Sequence, residues 1–425
     1  MTARFRPIHR SLGILLFTKQ SSSIQLLGGR RIIMKMMSST SNSRQGQGRI
    51  WIHRPFQLTP SSTTTSTNPS ILHCPLPTKT PTPSLENRIH YVYQSAGPLA
   101  LEQLCHSKQE FYKTQFSSRV TAEDAESRIR KLTLPSSSSS RGVDVTIYLP
   151  NSKPKTQLHG ICLHVHGGGW IWGDSQYQVA HRCLEMADTM NVAVVSVEYS
   201  LASTVNNNYG QLFDPVDEVG TTIDWIESTG ADELNTKPVY VASGESSGAH
   251  LLLLSMLKRR DRASDGMPLT STWKCLNLVY GFYDLSGTPS VRTDGNNSSP
   301  ICGNELLCMA DLYCSKLQEG NHDEHSQKKI DRQHPSISPM YADLSNLPPA
   351  LITVGTADPL LDDSLFLASR YCICGNDVET VLYEGGEHGL GHFGLQEEDE
   401  MGKRAREYTL QFIKRYLEHD TSLSS

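Results

Sequence analysis

Gly244-Glu245-Ser246-Ser247-Gly248 sets a serine hydroxyl between two glycines, directly after the β-favouring run Val239, Tyr240, Val241 and before the apolar stretch 251–254. Strand, sharp turn and helix in that order make an elbow whose central side chain stands clear, because the flanking glycines add no bulk beside it. Ser246 is therefore the candidate nucleophile, and the backbone N–H of Ser247 is the one that would face a developing oxyanion. A serine hydroxyl is a poor nucleophile without a base in hydrogen-bond reach, and the base needs an acid to orient it. Two later strand ends offer both: Asp358 in Gly355-Thr356-Ala357-Asp358-Pro359-Leu360, after the apolar run 350–354, and His388 in Glu384-Gly385-Gly386-Glu387-His388-Gly389, after 378–383. A fourth piece, His166-Gly167-Gly168-Gly169-Trp170, follows the run 160–165. Consecutive glycines let backbone N–H groups approach a ligand closely, so Gly167, Gly168 or Gly169 would join Ser247 in an oxyanion hole. One such donor is worth roughly 100- to 1000-fold in rate. The chemistry expected is acyl transfer to water through a covalent serine intermediate, which calls for no cofactor and no metal.

Other residues compete for these roles. Asp284, after the run 276–280, is an alternative acid. Asp362 and Asp363 read as caps of the helix that follows them. His392 lies four residues after His388, as a metal pair would, but without a third cluster of ligands it reads as a pocket or solvent histidine. His164 alternates with His166 on a buried strand and reads as a hydrogen-bonded core residue. Trp170 and Trp172 either line an acyl pocket or pack against a cap.

These pieces need a scaffold that brings strand ends together. Strands at 129–134 and 143–149, then strand 160–165, helix 177–190, strand 192–197, helix 215–228, strand 239–242, helix 249–259 and strand 276–280 follow one another. Strand–helix alternation with nearly continuous apolar strands means a mostly parallel sheet buried on both faces, an α/β fold. The alternation stops over 285–334, where a polar loop leads into a helix at 304–317, and resumes with strand 350–354, helix 363–373, strand 378–383 and a last helix over 397–417. An amphipathic helix over 98–116 precedes the first strand.

The first 85 residues hold no Asp or Glu and 11 of the 39 Lys and Arg, so the near-neutral total of −5 covers a basic head on a body of 28 basic and 44 acidic residues. An acidic body argues against a nucleic-acid surface. Residues 1–90 are Ser/Thr/Pro-rich and basic, which predicts a disordered segment suited to mitochondrial or plastid targeting, with a cytoplasmic protein as the alternative. A coding sequence that starts at Met34, Met36 or Met37 is another reading of that head. No apolar run approaches the roughly 20 residues a membrane span needs. Ten cysteines, including Cys302, Cys308, Cys314, Cys372 and Cys374, fit neither a disulfide framework nor a zinc pattern and read as reduced thiols. Asn296 and Asn297 open glycosylation sequons that matter only in a secreted chain.

From about residue 98 to 418 the chain resembles the hormone-sensitive-lipase-like branch of the α/β-hydrolases. The residues that carry the likeness are His166-Gly167-Gly168-Gly169-Trp170, 195–199, 213–219 before Trp225, Gly244 to Gly248, Asp358-Pro359-Leu360 and His388-Gly389, in the order Ser, Asp, His. The family's Gly-Asp-Ser-Ala-Gly-Gly reads Gly244-Glu245-Ser246-Ser247-Gly248-Ala249 here, and its Tyr-Arg-Leu-Ala-Pro reads Tyr199-Ser200-Leu201-Ala202-Ser203. The resemblance implies an α/β-hydrolase domain over 91–425 with a helical cap from about 98–120 and 286–334. It implies the triad Ser246, Asp358 and His388, supported by His166, Gly244, Glu245 and Gly248. The activity it implies is that of a serine esterase acting on small or short-chain carboxylic esters. The run Ser247-Gly248-Ala249-His250-Leu251 also resembles aryl-formamidases and isoprenylcysteine methylesterases, so an amidase is the alternative. A non-catalytic small-molecule receptor, as in the related gibberellin receptors, is the alternative of another class, and it expects a missing base. The oligomeric state is left open.

Overall fold

The computed structural model describes residues 31–34, 48–53, helical positions scattered between 103 and 114, and residues 120–136, 142–151, 157–202, 213–262, 269–294, 301–319, 330–390 and 400–418. Ten strands form one sheet: β1 (Arg31–Met34), β2 (Gly48–His53), β3 (Ile129–Leu134), β4 (Val143–Tyr148), β5 (Ile161–Val165), β6 (Ala193–Val197), β7 (Tyr240–Glu245), β8 (Trp273–Val279), β9 (Ala350–Gly355) and β10 (Val378–Tyr383). Their spatial order is β1-β2-β10-β9-β8-β7-β5-β6-β4-β3. Pairing is parallel from β6 through β10 and on to β2, while β4 runs antiparallel to β6 and β3 to β4. Strands β5, β6, β7 and β9 are buried at every position, as helices on both faces require. Edge strand β3 instead turns Arg130, Lys131 and Thr133 outward, which discourages pairing with another chain.

The longer helices are α1 (Ala122–Arg128), α2 (Ala180–Met190), α3 (Pro215–Trp225), α4 (Ser247–Arg262), α5 (Gly303–Glu319), α6 (Leu361–Ile373) and α7 (Glu400–Glu418), beside short turns of helix at Ala231–Glu233, Leu269–Thr272 and Pro289–Asp294. Helices α3, α4 and α6 bury Val219, Ile223, Leu252, Met256 and Leu367 on one face of the sheet, and α2 and α7 bury Cys183, Ala187, Phe412 and Ile413 on the other. Local signals set two of the helix starts. Thr121 caps α1 by accepting from Asp124 N, and Asp214 caps α3 by accepting from Asp217 N ahead of Pro215, whose fixed φ suits the first turn. The helix expected to reach 228 is α-helical to Trp225 and continues as a π turn over Ile226–Gly230. Helix α1 was not foreseen.

β1 and β2 fall within the segment whose composition predicts disorder, and the rest of 1–90 lies outside the described residues. So does most of the helix expected over 98–116, of which Gln103, His106, Ser107, Glu110, Lys113 and Thr114 are helical. Asn296, Asn297 and His392 are also outside the described residues.

The chain runs from β5 outward to β6 and then returns past β5 to β7, β8 and β9. The strand order therefore reverses at the β5/β7 boundary, and the crevice beyond the carboxyl ends of those strands is where such sheets bind ligands. Val165 and Gly244 are partners in register there, so the His166 loop and the Ser246 elbow leave the sheet side by side.

Candidate active site

Ser246 joins β7 to α4 with φ +52°, a left-handed conformation that a non-glycine residue holds only when its surroundings impose it. Its N–H donates to Val279 O at 2.9 Å, anchoring the elbow to β8. The turn is so tight that a Cβ on Gly248 would sit 2.1 Å from Val165 O, and one on Gly244 would sit 2.8 Å from Gly248 O. These contacts, more than freedom of φ, are why both flanking positions are glycine.

The loops after β9 and β10 are laced together. Thr356 N donates to Tyr383 O and Ala357 N to Gly386 O, both at 2.9 Å, and Gly385 N donates to Thr356 Oγ1 at 2.8 Å. Asp358 and His388 come together on that frame. His388 Nδ1 lies 2.9 Å and 3.1 Å from the two Asp358 oxygens, and His388 Nε2 lies 3.1 Å from Ser246 Oγ. A carboxylate only accepts, so Nδ1 carries the imidazole proton and the Nε2 lone pair faces the serine hydroxyl. Asp358 Oδ1 also accepts from Leu360 N at 2.8 Å, which fixes the carboxylate plane. All three side chains are buried. The Tyr280 ring covers His388 at 4.7 Å between centroids.

The glycine loop meets them from the other side. Gly168 and Gly169 have φ of +134° and +61° and are followed by Trp170 at +60°. Gly168 O accepts from Ile171 N and Trp172 N, turning the loop back on itself. The N–H groups of Gly168 and Gly169 donate to no acceptor among the described residues. Ser247 is the first residue of α4, so its N–H also lies outside the helical ladder. His166 points away from this chemistry: its ring stacks on Tyr199 at 4.2 Å, its Nδ1 lies 2.9 Å from Gly167 O, and burial lowers its pKa. Tyr199 OH donates to His166 O at 2.8 Å.

Glu245 takes no part in the serine's proton transfer. Its carboxylate lies 2.8 Å from Nε2 of His164, whose Nδ1 lies 3.1 Å from Ser196 Oγ, so His164 is the hydrogen-bonded core residue expected of it. Asp284 is held by Ser286 and Tyr341 and makes no hydrogen bond to His388. The expectation that Asp362 and Asp363 cap their own helix is corrected: the N-cap of α6 is Leu360, without a side-chain bond. Asp363 instead accepts from Tyr283 N at 2.7 Å, Asp284 N at 2.8 Å and Thr288 Oγ1 at 2.6 Å, and Asp362 accepts from Ser290 N. They tie the start of the 285–334 insertion to α6. Burial raises the Asp363 carboxyl to about 7.

Trp170 packs against other elements: it stacks on Tyr313 of α5 at 4.8 Å and lies 5.9 Å from Phe282. Helix α5 also brings Met309 against Gly169, where an added Cβ would lie 2.1 Å from its sulfur. Cys302, Cys308 and Cys314 are buried on that helix or beside it, and burial pushes the Cys308 thiol up to about 11. No group of metal-ligating side chains occurs among the described residues, and no helix among them is long and apolar enough to cross a membrane. A cavity of about 990 Å³ opens behind α4, lined by Phe213, Leu254, Leu257, Tyr313 and Ile337 among others; Ser246, Asp358 and His388 do not line it. The chemistry sits at the convergent loops, apart from this space.

His250 entered the sequence reading only as one member of the run Ser247 to Leu251, with no role of its own. It lies one turn after Ser246 on α4 and is wholly buried. The signal that could have found it is the i, i+4 spacing that puts it on the nucleophile's side of the helix.

A family model described as alpha/beta hydrolase fold matches residues 162–392. An acetyl esterase of Salmonella schwarzengrund is 29% identical over 259 residues, covering 59% of this chain and 70% of that protein. The carboxylesterase NlhH of Mycobacterium tuberculosis is 27% identical over 239 residues, covering 55% and 67%. Among solved structures, the carboxylesterase EstE1, cloned from a metagenomic library, superposes with a TM-score of 0.61 at 22% identity, covering 76% of this chain and 99% of its own. An esterase of Pyrobaculum calidifontis superposes with a TM-score of 0.58 at 24% identity, covering 73% and 92%. These two structures agree with the chain in fold. With the family model spanning more than half of its length, the chain belongs to the α/β-hydrolases, in their hormone-sensitive-lipase-like branch.

Proposed function

We propose that the chain is a serine esterase that hydrolyses small or short-chain carboxylic esters through an acyl-enzyme. The observation that carries the reading is the unbroken line from Asp358 through His388 to Ser246 Oγ, with contacts of 2.9 and 3.1 Å. His388 takes the hydroxyl proton at Nε2 as Ser246 Oγ attacks the ester carbonyl, and Asp358 stabilises the imidazolium through Nδ1–H. The tetrahedral oxyanion receives N–H groups from Gly168, Gly169 and Ser247, which stand ready before the substrate arrives. Collapse breaks the bond to the leaving alkoxide, which takes the proton from His388. Water then attacks the acyl-enzyme with His388 again as base, releasing the acid and restoring Ser246.

Names of relatives support an ester as substrate, acetyl esterase and carboxylesterase among them. Filling of the space beside the glycine loop by Met309, Trp170 and Tyr313 supports a short acyl group, with α5 as part of a cap. A receptor on this fold has no use for a base, and His388 within hydrogen-bond reach of Ser246 speaks against that alternative. The test is a series of p-nitrophenyl esters of rising chain length beside N-formyl aryl amides. The expected result is highest kcat/KM for acetate to butyrate, lost in Ser246→Ala. Preference for the formyl amide would make the protein an amidase of the same mechanism.

A further inference from the structure

His250 sits where four parts of the molecule meet. It belongs to α4, one turn beyond the nucleophile. Trp170 Nε1–H, from the residue after the glycine loop, donates to its Nδ1 at 3.3 Å. Its Nε2–H donates to Ile337 O, on the segment returning from the insertion, at 2.7 Å. The Tyr313 ring of α5 meets it edge-on at 5.6 Å. A donor on one ring nitrogen and an acceptor on the other admit only the neutral Nε2–H tautomer, because an imidazolium could not accept from Trp170. Burial, which lowers the His250 pKa to about 4, keeps it in that form.

The backbone of Trp170 continues directly from Gly169, and its φ of +60° is one that a tryptophan does not hold unaided. Its contacts hold it: Trp170 O accepts from Ala202 N at 2.7 Å, its ring packs on Tyr313 and Phe282, and its indole N–H is tied to His250. Of these, the indole bond connects the glycine loop to α4, the helix that begins directly after Ser246. From this geometry we infer that His250 is a positioning residue, which through Nδ1 and the Trp170 indole fixes the Gly168 and Gly169 N–H groups relative to Ser246 Oγ. The inference rests on the esterase reading and adds to it the residue that keeps nucleophile and oxyanion donors in register.

Asn and Gln separate the two bonds that the imidazole makes. The amide oxygen of Asn falls near Nδ1 and can still accept from Trp170, whereas the amide of Gln falls near Nε2 and can still donate to Ile337. Displacing oxyanion donors by about an ångström costs on the order of 100-fold in turnover, so His250→Gln is expected to lower kcat by roughly 10- to 100-fold with KM within about threefold, and His250→Asn by less than about fivefold. Asn is one methylene smaller than Gln and leaves the larger void in this buried site, so a purely structural histidine would be hurt more by Asn than by Gln, the reverse of the order expected here. Trp170→Phe keeps a ring for Tyr313 and removes the N–H donor together with part of the indole's buried bulk, so its melting temperature is read beside its kcat. It should reproduce the kcat loss of His250→Gln on folded protein, and the double variant should lose little more than either single one. All variants are assayed with p-nitrophenyl acetate beside the wild-type protein. Active wild type with Trp170→Phe and His250→Gln both within twofold of its kcat, or His250→Asn impaired at least as much as His250→Gln, overturns the inference. Wild type that hydrolyses no ester overturns the functional reading instead.

Discussion

Glu245, the residue immediately before the nucleophile, forms a buried ion pair with His164 on the neighbouring strand, Oε1 to Nε2 at 2.8 Å. Burial opposes a charged imidazole there, but Cys183 and the Glu245 carboxylate outweigh it and hold the His164 pKa well above 6.5. The elbow is thus tied to the strand that launches the glycine loop. Glu245→Ala leaves a buried cation without its partner, which typically costs about 3–5 kcal/mol. Glu245→Gln should cost less, since a hydrogen bond survives. The His164 contribution is fully present below pH 6.5 and is lost as pH rises through its raised folded value, so the gap between wild type and Glu245→Gln should narrow in alkaline solution. Urea midpoints across pH check both statements; a gap between wild type and Glu245→Gln that stays constant with pH would mean that the pair carries no charge.

Gly168 and Gly169 should differ in how they can be repaired. A Cβ at Gly168 meets the backbone oxygen of Trp172 at 2.0 Å, whereas at Gly169 it meets the Met309 side-chain sulfur at 2.1 Å. Either Gly→Ala change should lower kcat by about 100-fold or more through displacement of the oxyanion donors. Met309→Ala should recover part of the loss in Gly169→Ala and none in Gly168→Ala, as read from kcat on p-nitrophenyl acetate.

Asp363 predicts a stability that falls with rising pH. Its carboxyl is raised from 3.8 to about 7, so between those values the folded chain binds a proton that the unfolded chain releases. Its contribution is present below 3.8 and is lost as pH climbs through about 7. Asp363→Asn keeps a carbonyl for the Tyr283 and Asp284 N–H groups without a charge. Its advantage over wild type should be larger at pH 8 than at pH 5 by on the order of 1 kcal/mol or more. Asp363→Ala orphans those buried donors, at about 1–3 kcal/mol each. Thermal unfolding at both pH values decides, and an Asn variant whose advantage is no larger at pH 8 than at pH 5 contradicts the assignment.

Asp358→Asn should leave the melting temperature near that of wild type while kcat falls by about 10,000-fold. An amide that donates toward Nδ1 selects the wrong imidazole tautomer, which takes the Nε2 lone pair from Ser246. Loss of less than tenfold would mean that another group orients His388.

Much of this was legible in the chain. Ser246, Asp358 and His388 each follow a short apolar run by a few residues, and burial on both sheet faces made those runs readable as strands. What escaped depended on partners far away in sequence. Asp362 and Asp363 look like helix-capping acids because they stand at a helix start, yet their partners lie some seventy to eighty residues earlier, from Tyr283 to Ser290. His250 carries no motif of its own; its role depends on Trp170 and Ile337, eighty residues before it and eighty-seven after. β2 was hidden because the basic, acid-free composition of the head, averaged over many residues, masks the six of Gly48–His53. Trp170 was seen, but only the position of α5 could choose between pocket and packing.

The most direct measurement is peptide mapping after reaction with a fluorophosphonate, alongside ester turnover. One adduct per chain is predicted, on Ser246, absent from Ser246→Ala and greatly slowed in His388→Ala, with turnover lost in step. Label on another residue, or ester hydrolysis that survives in Ser246→Ala, would contradict a nucleophile at position 246.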